Sequence, residues 1–126
     1  MIASATIENR TIVQRYVDAY NRQDIGSMSK LMASEIEWFS VKGSTLLPMA
    51  AGKEHLLKIL TEQFSDQFDP ASKLSGWSVN GAVVAVKETV SWETAKGKIK
   101  SQSSTAVYEV QNAKIRRVWY FDASSE

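Results

Sequence analysis

Apolar residues recur every three or four positions near the start of the chain. They are Ile12, Val13, Tyr16, Val17 and Tyr20. This spacing predicts a helix with one apolar face. Thr6 or Ser4 can cap the start of this helix, and its end is expected near residues 21–23.

Two further helices are predicted in the first half of the chain. Asp24 is a suitable N-cap for a short helix, whose apolar residues are Ile25, Met28, Leu31 and Met32. A helical pattern returns after Gly52, and the pair Asp69-Pro70 is expected to end it. The apolar side of this third helix consists of Leu56, Leu57, Ile59, Leu60 and Phe64.

Between the second and third helices, the pattern changes from a helical to a two-residue period. Residues 35–41 predict a strand with Ile36, Trp38 and Ser40 on one face. Residues 42–51 contain Gly43, Ser44 and Pro48, so they are predicted to form a loop.

The second half of the chain is rich in strands. Four are predicted, over residues 74–79, 82–94, 99–110 and 114–122. Asn80-Gly81 is a strong signal for a hairpin turn between the first two. Helices followed by long antiparallel strands predict an α+β fold in which three helices cover a curved sheet, in one domain over residues 1–126.

Strand alternation predicts which side chains face the helices. On the second long strand, Val84, Val86, Val90 and Trp92 share a face with Glu88; on the last strand, Val118 and Tyr120 share one with Asp122. The strand over residues 99–110 contributes Tyr108 to the same predicted cavity wall. The first strand contributes Trp38 and Ser40, and the first helix contributes Tyr16 and Tyr20. Such a cavity suits a flat, largely apolar ligand that carries a carbonyl or hydroxyl group.

Glu88 and Asp122 are the candidate acid and base groups. A carboxylate on an apolar face is costly unless it is paired, and its pKa rises, which suits it to proton transfer. Alternatively, a bulge turns Glu88 to solvent, or it makes a structural hydrogen bond to a tyrosine. Asp122 lies close to the C-terminal end of the sequence, where chains fray.

Tyr16 and His55 each allow two interpretations. The Tyr16 hydroxyl either polarises a ligand oxygen or belongs to a core tyrosine that finds a partner. His55 lies beside the Leu56/Leu60 stripe, where it either reaches the pocket or is a partly exposed surface residue.

Composition narrows the classes of function. The net charge of +1 does not favour nucleic-acid binding, and no apolar run is long enough for a membrane span. The absence of cysteine and the presence of one histidine argue against a zinc site, so neither metal nor cofactor is expected. No signal peptide is evident, and a cytoplasmic location is expected.

The order of these elements resembles the nuclear transport factor 2-like superfamily, within it the SnoaL-like polyketide cyclases and the ketosteroid isomerases. The segments that carry the resemblance are IVQRYVDAYNRQD, LMASEIEWFSVKG, GKEHLLKIL and AVYEVQNAKIRRVWYFD. The resemblance implies a cone-shaped fold over nearly the whole chain. Activity does not follow from it, because one fold hosts many chemistries.

The resemblance also implies roles for particular residues. Tyr16 matches the ketosteroid isomerase tyrosine that donates to the substrate oxygen, but Ser40 and Ala106 stand where that enzyme has its two aspartates. Steroid isomerase activity is therefore not expected. Asp122 matches the aspartate of the SnoaL-like cyclases, whose partner histidine has no counterpart here. The charged set of limonene epoxide hydrolase and the paired histidines of the dehydratases are also missing.

Two functions remain open from the sequence. One is a cofactor-free enzyme for isomerisation, cyclisation, hydration or dehydration, in which Asp122 and Glu88 exchange protons while Tyr16 polarises the substrate. The other is a non-catalytic module for ligand binding or dimerisation. Trp119, Phe121 and Arg117 are expected on the outer sheet face, and together with the resemblance they predict a homodimer through that face.

Overall fold

A computed structural model describes residues 2–65 and 71–125. In this part of the chain the helices are α1 (Ile2–Asn21), α2 (Ile25–Lys30) and α3 (Lys53–Ser65). The strands are β1 (Met32–Lys42), β2 (Thr45–Ala51), β3 (Ala71–Asn80), β4 (Val83–Glu93), β5 (Ile99–Gln111), β6 (Lys114–Phe121) and β7 (Ser124–Ser125). The predicted end of the third helix, at Asp69-Pro70, lies outside the described residues.

The strands form one curved sheet in the order β2-β1-β6-β5-β4-β3, and β7 pairs with β5. The β1–β6 pair is parallel, whereas the other pairs are antiparallel. α1 contacts β3 to β6, and α3 contacts β1 and β2. The α+β class and the three helices predicted from the sequence are confirmed.

The predicted cap of α2 is confirmed, whereas the start of α1 and the position of the β3–β4 turn differ from the predictions. α1 begins at Ile2, earlier than the start predicted near Ser4 or Thr6. Asp24 caps α2 as predicted, because its carboxylate accepts a hydrogen bond of 3.1 Å from the Ser27 backbone N–H. The β3–β4 turn lies at Gly81-Ala82, one residue later than predicted, since Asn80 still pairs with Val83.

The largest difference is β2, which occupies most of the predicted loop. Gly43 adopts a positive φ of 60° in the tight turn that leads into the strand. Pro48 cannot donate a backbone hydrogen bond, but β2 is an edge strand, where one missing donor is tolerated. The loop prediction was wrong because the sequence does not reveal which strand lies at the edge.

The core lies between the helices and the concave face of the sheet. Its completely buried large side chains are Tyr108, Met28, Met32, Ile36, Ile115, Val13, Val84, Val86 and Val110. The predicted alternation in β4 is confirmed in the first half of the strand, where Val84, Val86 and Glu88 are all buried. No helix in the described part of the chain is long and apolar enough to cross a bilayer.

Candidate functional site

A cavity of about 170 Å³ lies between the two long helices and the concave face of the sheet. The helices contribute Tyr16, Val17 and Tyr20 from α1 and Leu56, Leu60 and Gln63 from α3; the sheet contributes Trp38, Glu88, Val118 and Tyr120. The wall is therefore aromatic and aliphatic, with one carboxyl group. A cavity of about 150 Å³ holds benzene, so this one has room for a small ring system.

Glu88 is the buried carboxyl group of this cavity, with 7% of its surface exposed. Ser72 Oγ donates to Oε2 and the Tyr108 hydroxyl donates to Oε1, each over 3.1 Å. β4 has no bulge in its pairing with β5, so the strand alternation carries Glu88 inward. The interpretation in which a bulge turns Glu88 to solvent is therefore wrong.

The last residue of α1 holds Ser72 in place. Asn21 Nδ2 donates to the carbonyl oxygen of Ser72, and Asn21 Oδ1 accepts from its backbone N–H, both over 2.8 Å. These two bonds fix β3 to the end of α1. As a result, the Ser72 hydroxyl is held against Glu88 on the neighbouring strand.

Burial raises the pKa of Glu88 because the low-polarity surroundings disfavour the charged form. Hydrogen bonds from Tyr108 and Ser72, along with the nearby hydroxyl of Tyr120, favour the carboxylate and lower the pKa, but burial has the larger effect. Burial, followed by the negative charge of Glu88, raises the pKa values of Tyr16, Tyr108 and Tyr120. The three phenols therefore stay protonated at neutral pH, while the carboxyl group is poised for proton transfer.

Three tyrosines surround Glu88. The hydroxyls of Tyr108 and Tyr120 are 3.0 Å apart, and the Tyr16 ring packs edge-on against that of Tyr108 with 6.4 Å between the centroids. Among the described residues, the Tyr16 hydroxyl has no hydrogen-bond partner, and neither has the buried Nε1 of Trp38. The Tyr16 hydroxyl, on a residue of the cavity wall, is thus a donor that the described part of the chain leaves unused.

Most of the site residues predicted from the sequence meet at this cavity. Tyr16, Tyr20, Trp38, Glu88 and Tyr120 line it. Tyr108 does not line the cavity; it lies completely buried behind the wall and contacts it through Glu88 and Tyr120. Ser40 and Trp92, which were predicted as wall residues, are partly buried but do not line the cavity.

The inward orientation predicted for Asp122 was wrong. β6 ends at Phe121, so the strand alternation no longer determines where Asp122 points. Asp122 is exposed and lies outside the cavity lining. Trp92 lies outside the cavity lining for a different reason. It is four residues beyond Glu88, about 13 Å along an extended strand, and the cavity does not extend that far.

Sequence reasoning missed the contribution of α3 to the wall. Leu56 and Leu60 belong to its predicted apolar side, but nothing in the pattern separates a core helix from one that faces a cavity. Asn21 and Ser72 were missed as well, because their contact joins positions 51 residues apart. His55 is exposed and its Nδ1 accepts a hydrogen bond of 3.2 Å from the Ala51 N–H, which confirms the surface interpretation.

The described residues contain no group of three or more His, Cys, Asp or Glu side chains that could hold a metal ion. The polar groups of the cavity are one carboxyl group, one amide and phenolic hydroxyls, along with the indole of Trp38. Such a set can bind an oxygen atom of a small ligand and can move a proton at Glu88.

Several solved structures share this fold at low sequence identity. A candidate polyketide cyclase from Xanthomonas campestris pv. campestris is 18% identical, with a TM-score of 0.75 over 94% of this chain and 92% of the other. An LEH-like epoxide hydrolase from M. tuberculosis is 16% identical, with a TM-score of 0.76 over 92% and 83%. A candidate ketosteroid isomerase from Kribbella flavida is 18% identical, with a TM-score of 0.71 over 92% and 78%.

These likenesses show the fold alone, because activities diverge at such identities. The sequence matches no curated protein. The model of the SnoaL-like domain matches residues 13–118, which include every residue that lines the cavity except Tyr120. The chain therefore belongs to the SnoaL-like domain family, and its structural neighbours include a nuclear transport factor 2-like protein, a candidate polyketide cyclase and a candidate ketosteroid isomerase.

Proposed function

We propose that the protein binds a small apolar carbonyl or hydroxyl compound and catalyses cofactor-independent acid/base chemistry on it. Isomerisation, cyclisation, hydration and dehydration all fit this chemistry. Glu88 is the proton-transfer group, and Tyr16 donates a hydrogen bond to the ligand oxygen. Asp122, which the sequence suggested as a second acid or base, has no part in this proposal because it lies outside the cavity lining.

The observation that supports the proposal is the environment of Glu88. It is buried in an aromatic cavity, and no cationic side chain among the described residues contributes to its pKa. A structural carboxylate in the core is normally paired with a cation, because an unpaired buried charge is costly. Glu88 is instead held by two neutral hydroxyl donors, an arrangement that allows it to gain and lose a proton.

For a ketone, the proposed step is proton abstraction next to the carbonyl group. Glu88 takes a proton from the adjacent carbon, and the electron pair of the broken C–H bond moves onto the carbonyl oxygen. The Tyr16 hydroxyl stabilises the resulting enolate by donating a hydrogen bond, as a preorganised donor does in other enzymes. Return of the proton to the same or another atom completes an exchange or an isomerisation.

Deuterium exchange tests this step without knowledge of the natural substrate. 2-Indanone, a small bicyclic ketone, is incubated with the protein in D₂O, and loss of its α-proton signal is followed by NMR. We expect exchange above the buffer rate, and we expect Glu88→Gln to reduce the enzymatic part by roughly 100-fold or more. Glu93→Gln is the matched control, since Glu93 is an exposed glutamate on the same strand.

Binding without catalysis is the second candidate function. It is favoured by the single carboxyl group in the cavity lining, because reactions that use separate acid and base groups need two. A ligand that binds with measurable affinity but exchanges no faster in wild type than in Glu88→Gln would favour the binding module and contradict the catalytic proposal.

We also propose that the protein forms a homodimer through the outer face of the sheet. The rings of Phe39 and Trp119 stack there with centroids 6.0 Å apart, and Phe121 beside them is 41% exposed. Val41 pairs with Phe121 across the β1–β6 ladder, so the apolar surface continues along both strands. Aromatic residues on an exposed sheet face are typical of an interface.

A further inference from the structure

Glu88 lines the cavity itself, and a chain of two hydroxyl groups also connects its carboxyl group to the cavity. Glu88 Oε1 accepts from the Tyr108 hydroxyl over 3.1 Å, and the hydroxyls of Tyr108 and Tyr120 are 3.0 Å apart. Tyr120 lines the cavity, whereas Tyr108 is completely buried behind it. Tyr108 therefore touches no ligand, but it links the carboxyl group to a residue that does.

The direction of this chain depends on the proton of Glu88. Each phenol has one hydrogen to donate, and an ionised carboxylate can only accept. When Glu88 is ionised, Tyr108 donates to it and Tyr120 donates to Tyr108, so Tyr120 offers only lone pairs to the cavity. When Glu88 is protonated it can donate to Tyr108, which then donates to Tyr120, and the Tyr120 hydrogen becomes available to the cavity.

We propose that Tyr108 and Tyr120 act as a polarity switch that makes ligand selection depend on the protonation of Glu88. With Glu88 ionised, the site favours ligands that donate a hydrogen bond, such as alcohols and enols. With Glu88 protonated, it favours ligands that only accept one, such as ketones. This inference rests on the proposed function for the class of ligand, but not for catalysis.

The switch also adds to the proposed reaction. Glu88 becomes protonated at the moment when it removes a proton from the ligand. The chain then reverses, and Tyr120 can donate a hydrogen bond to the oxygen on which negative charge has developed. Tyr108 is a positioning residue in this scheme, since it acts through Tyr120.

Glu88 is the carboxyl group of this network, and burial raises its pKa. The ionisable groups that face it are Tyr16 from α1, Tyr108 from β5 and Tyr120 from β6, and burial holds the pKa of each above its ordinary value of 10.0. β3 contributes the neutral Ser72. α3 contributes Leu56, Leu60 and Gln63 to the cavity, while His55 on the same helix is exposed.

A matched pair of ligands tests the switch. 2-Indanone and 2-indanol share one achiral skeleton, but the ketone only accepts a hydrogen bond, whereas the alcohol also donates one. Dissociation constants for both are measured by NMR titration from about pH 5 to about pH 8, a range that covers raised carboxyl pKa values. We expect ketone affinity relative to alcohol affinity to fall by roughly 3- to 10-fold as the pH rises, which corresponds to one neutral hydrogen bond.

Variants separate the switch from direct contact between Glu88 and the ligand. Tyr108→Phe keeps the carboxyl group in the cavity but breaks the chain, so the affinity ratio should lose its pH dependence. Glu88→Gln has no ionisable group and can donate through its amide, so the ratio should remain at the low-pH value of wild type. His55→Gln is the control for the exposed histidine and should retain the wild-type pH dependence.

The folded state of each variant is checked by its amide NMR spectrum, and Glu88→Gln provides an independent result if Tyr108→Phe does not fold. A wild-type ratio that is constant with pH overturns the switch. So does a pH dependence that survives in Tyr108→Phe, because it would come from Glu88 directly. The deuterium-exchange experiment is independent: absent exchange with an intact pH-dependent ratio rejects catalysis and supports the switch.

Discussion

The side-chain amide of Asn21 pairs with the backbone of Ser72 through two hydrogen bonds of 2.8 Å, one donated and one accepted. The contact joins the end of α1 to β3, and Ser72 in turn donates to Glu88. One amide therefore connects the helix layer, the edge of the sheet and the carboxyl group of the cavity.

Replacement of Asn21 by alanine should lower the free energy of unfolding by about 1–3 kcal/mol, because it leaves two partly buried backbone groups without partners. Urea denaturation measures the loss. Asn80→Ala is the control: Asn80 is exposed at the other end of β3 and should tolerate the change with little loss. Equal losses in both variants would contradict the role of the Asn21–Ser72 contact.

The buried Glu88 should leave a signature in the pH dependence of stability. Its pKa is raised in the folded protein, so the folded state binds this proton more tightly than the unfolded chain does. The contribution of Glu88 to the free energy of unfolding therefore falls as the pH rises from the ordinary value of 4.5 to the raised folded-state pKa, and is constant above it.

Urea denaturation at a series of pH values checks this sign. The free energy of unfolding of wild type minus that of Glu88→Gln should decrease with rising pH over this range. Subtraction removes the contributions of the other carboxyl groups. A difference that increases with pH would mean that the folded state stabilises the charged form of Glu88.

Tyr16→Phe should separate activity from stability. The Tyr16 hydroxyl has no hydrogen-bond partner among the described residues, so its removal should change the free energy of unfolding by less than about 1 kcal/mol. Deuterium exchange of 2-indanone should slow by roughly 10- to 100-fold, because the enolate loses its donor. An unchanged exchange rate would show that Tyr16 is only a core residue.

A glycine in the turn between β5 and β6 should stabilise the folded protein. Asn112 and Ala113 adopt positive φ values of 55° and 60°, as a two-residue hairpin turn requires. Alanine in this region is disfavoured by about 1 kcal/mol, so Ala113→Gly should raise the free energy of unfolding by about that amount. The control is Ala95→Gly, at a turn position without a positive φ, which should not stabilise the protein.

Light scattering after size-exclusion chromatography tests the proposed homodimer. Wild type should elute with twice the mass of one chain, and Phe121→Asp should shift the protein to the monomer by placing a charge in the apolar surface. Leu47→Asp is the matched control. Leu47 is 38% exposed but pairs with Ser40, and so belongs to the opposite face of the sheet. A monomeric wild type would reject the dimer.

The sequence by itself determined the order of the helices and long strands and the inward position of Glu88. Both follow from local backbone geometry, since a strand directs alternate residues to one face over the length of its pairing. The same local rule grouped Glu88 with Val84 and Val86, and Tyr108 with Val110. Tyr16 likewise followed from the period of a single helix.

Only the tertiary structure decided where those local rules stop and which distant residues meet. Strand alternation failed at Asp122 because β6 ends at Phe121, one residue before it. The loop prediction failed at β2 because an edge strand tolerates Pro48. The contact of Asn21 with Ser72 and the hydroxyl pair of Tyr108 and Tyr120 have no local signal. A hydrogen bond forms or is lost when the spacing between two elements changes by a few tenths of an ångström, and the packing of the whole fold sets that spacing.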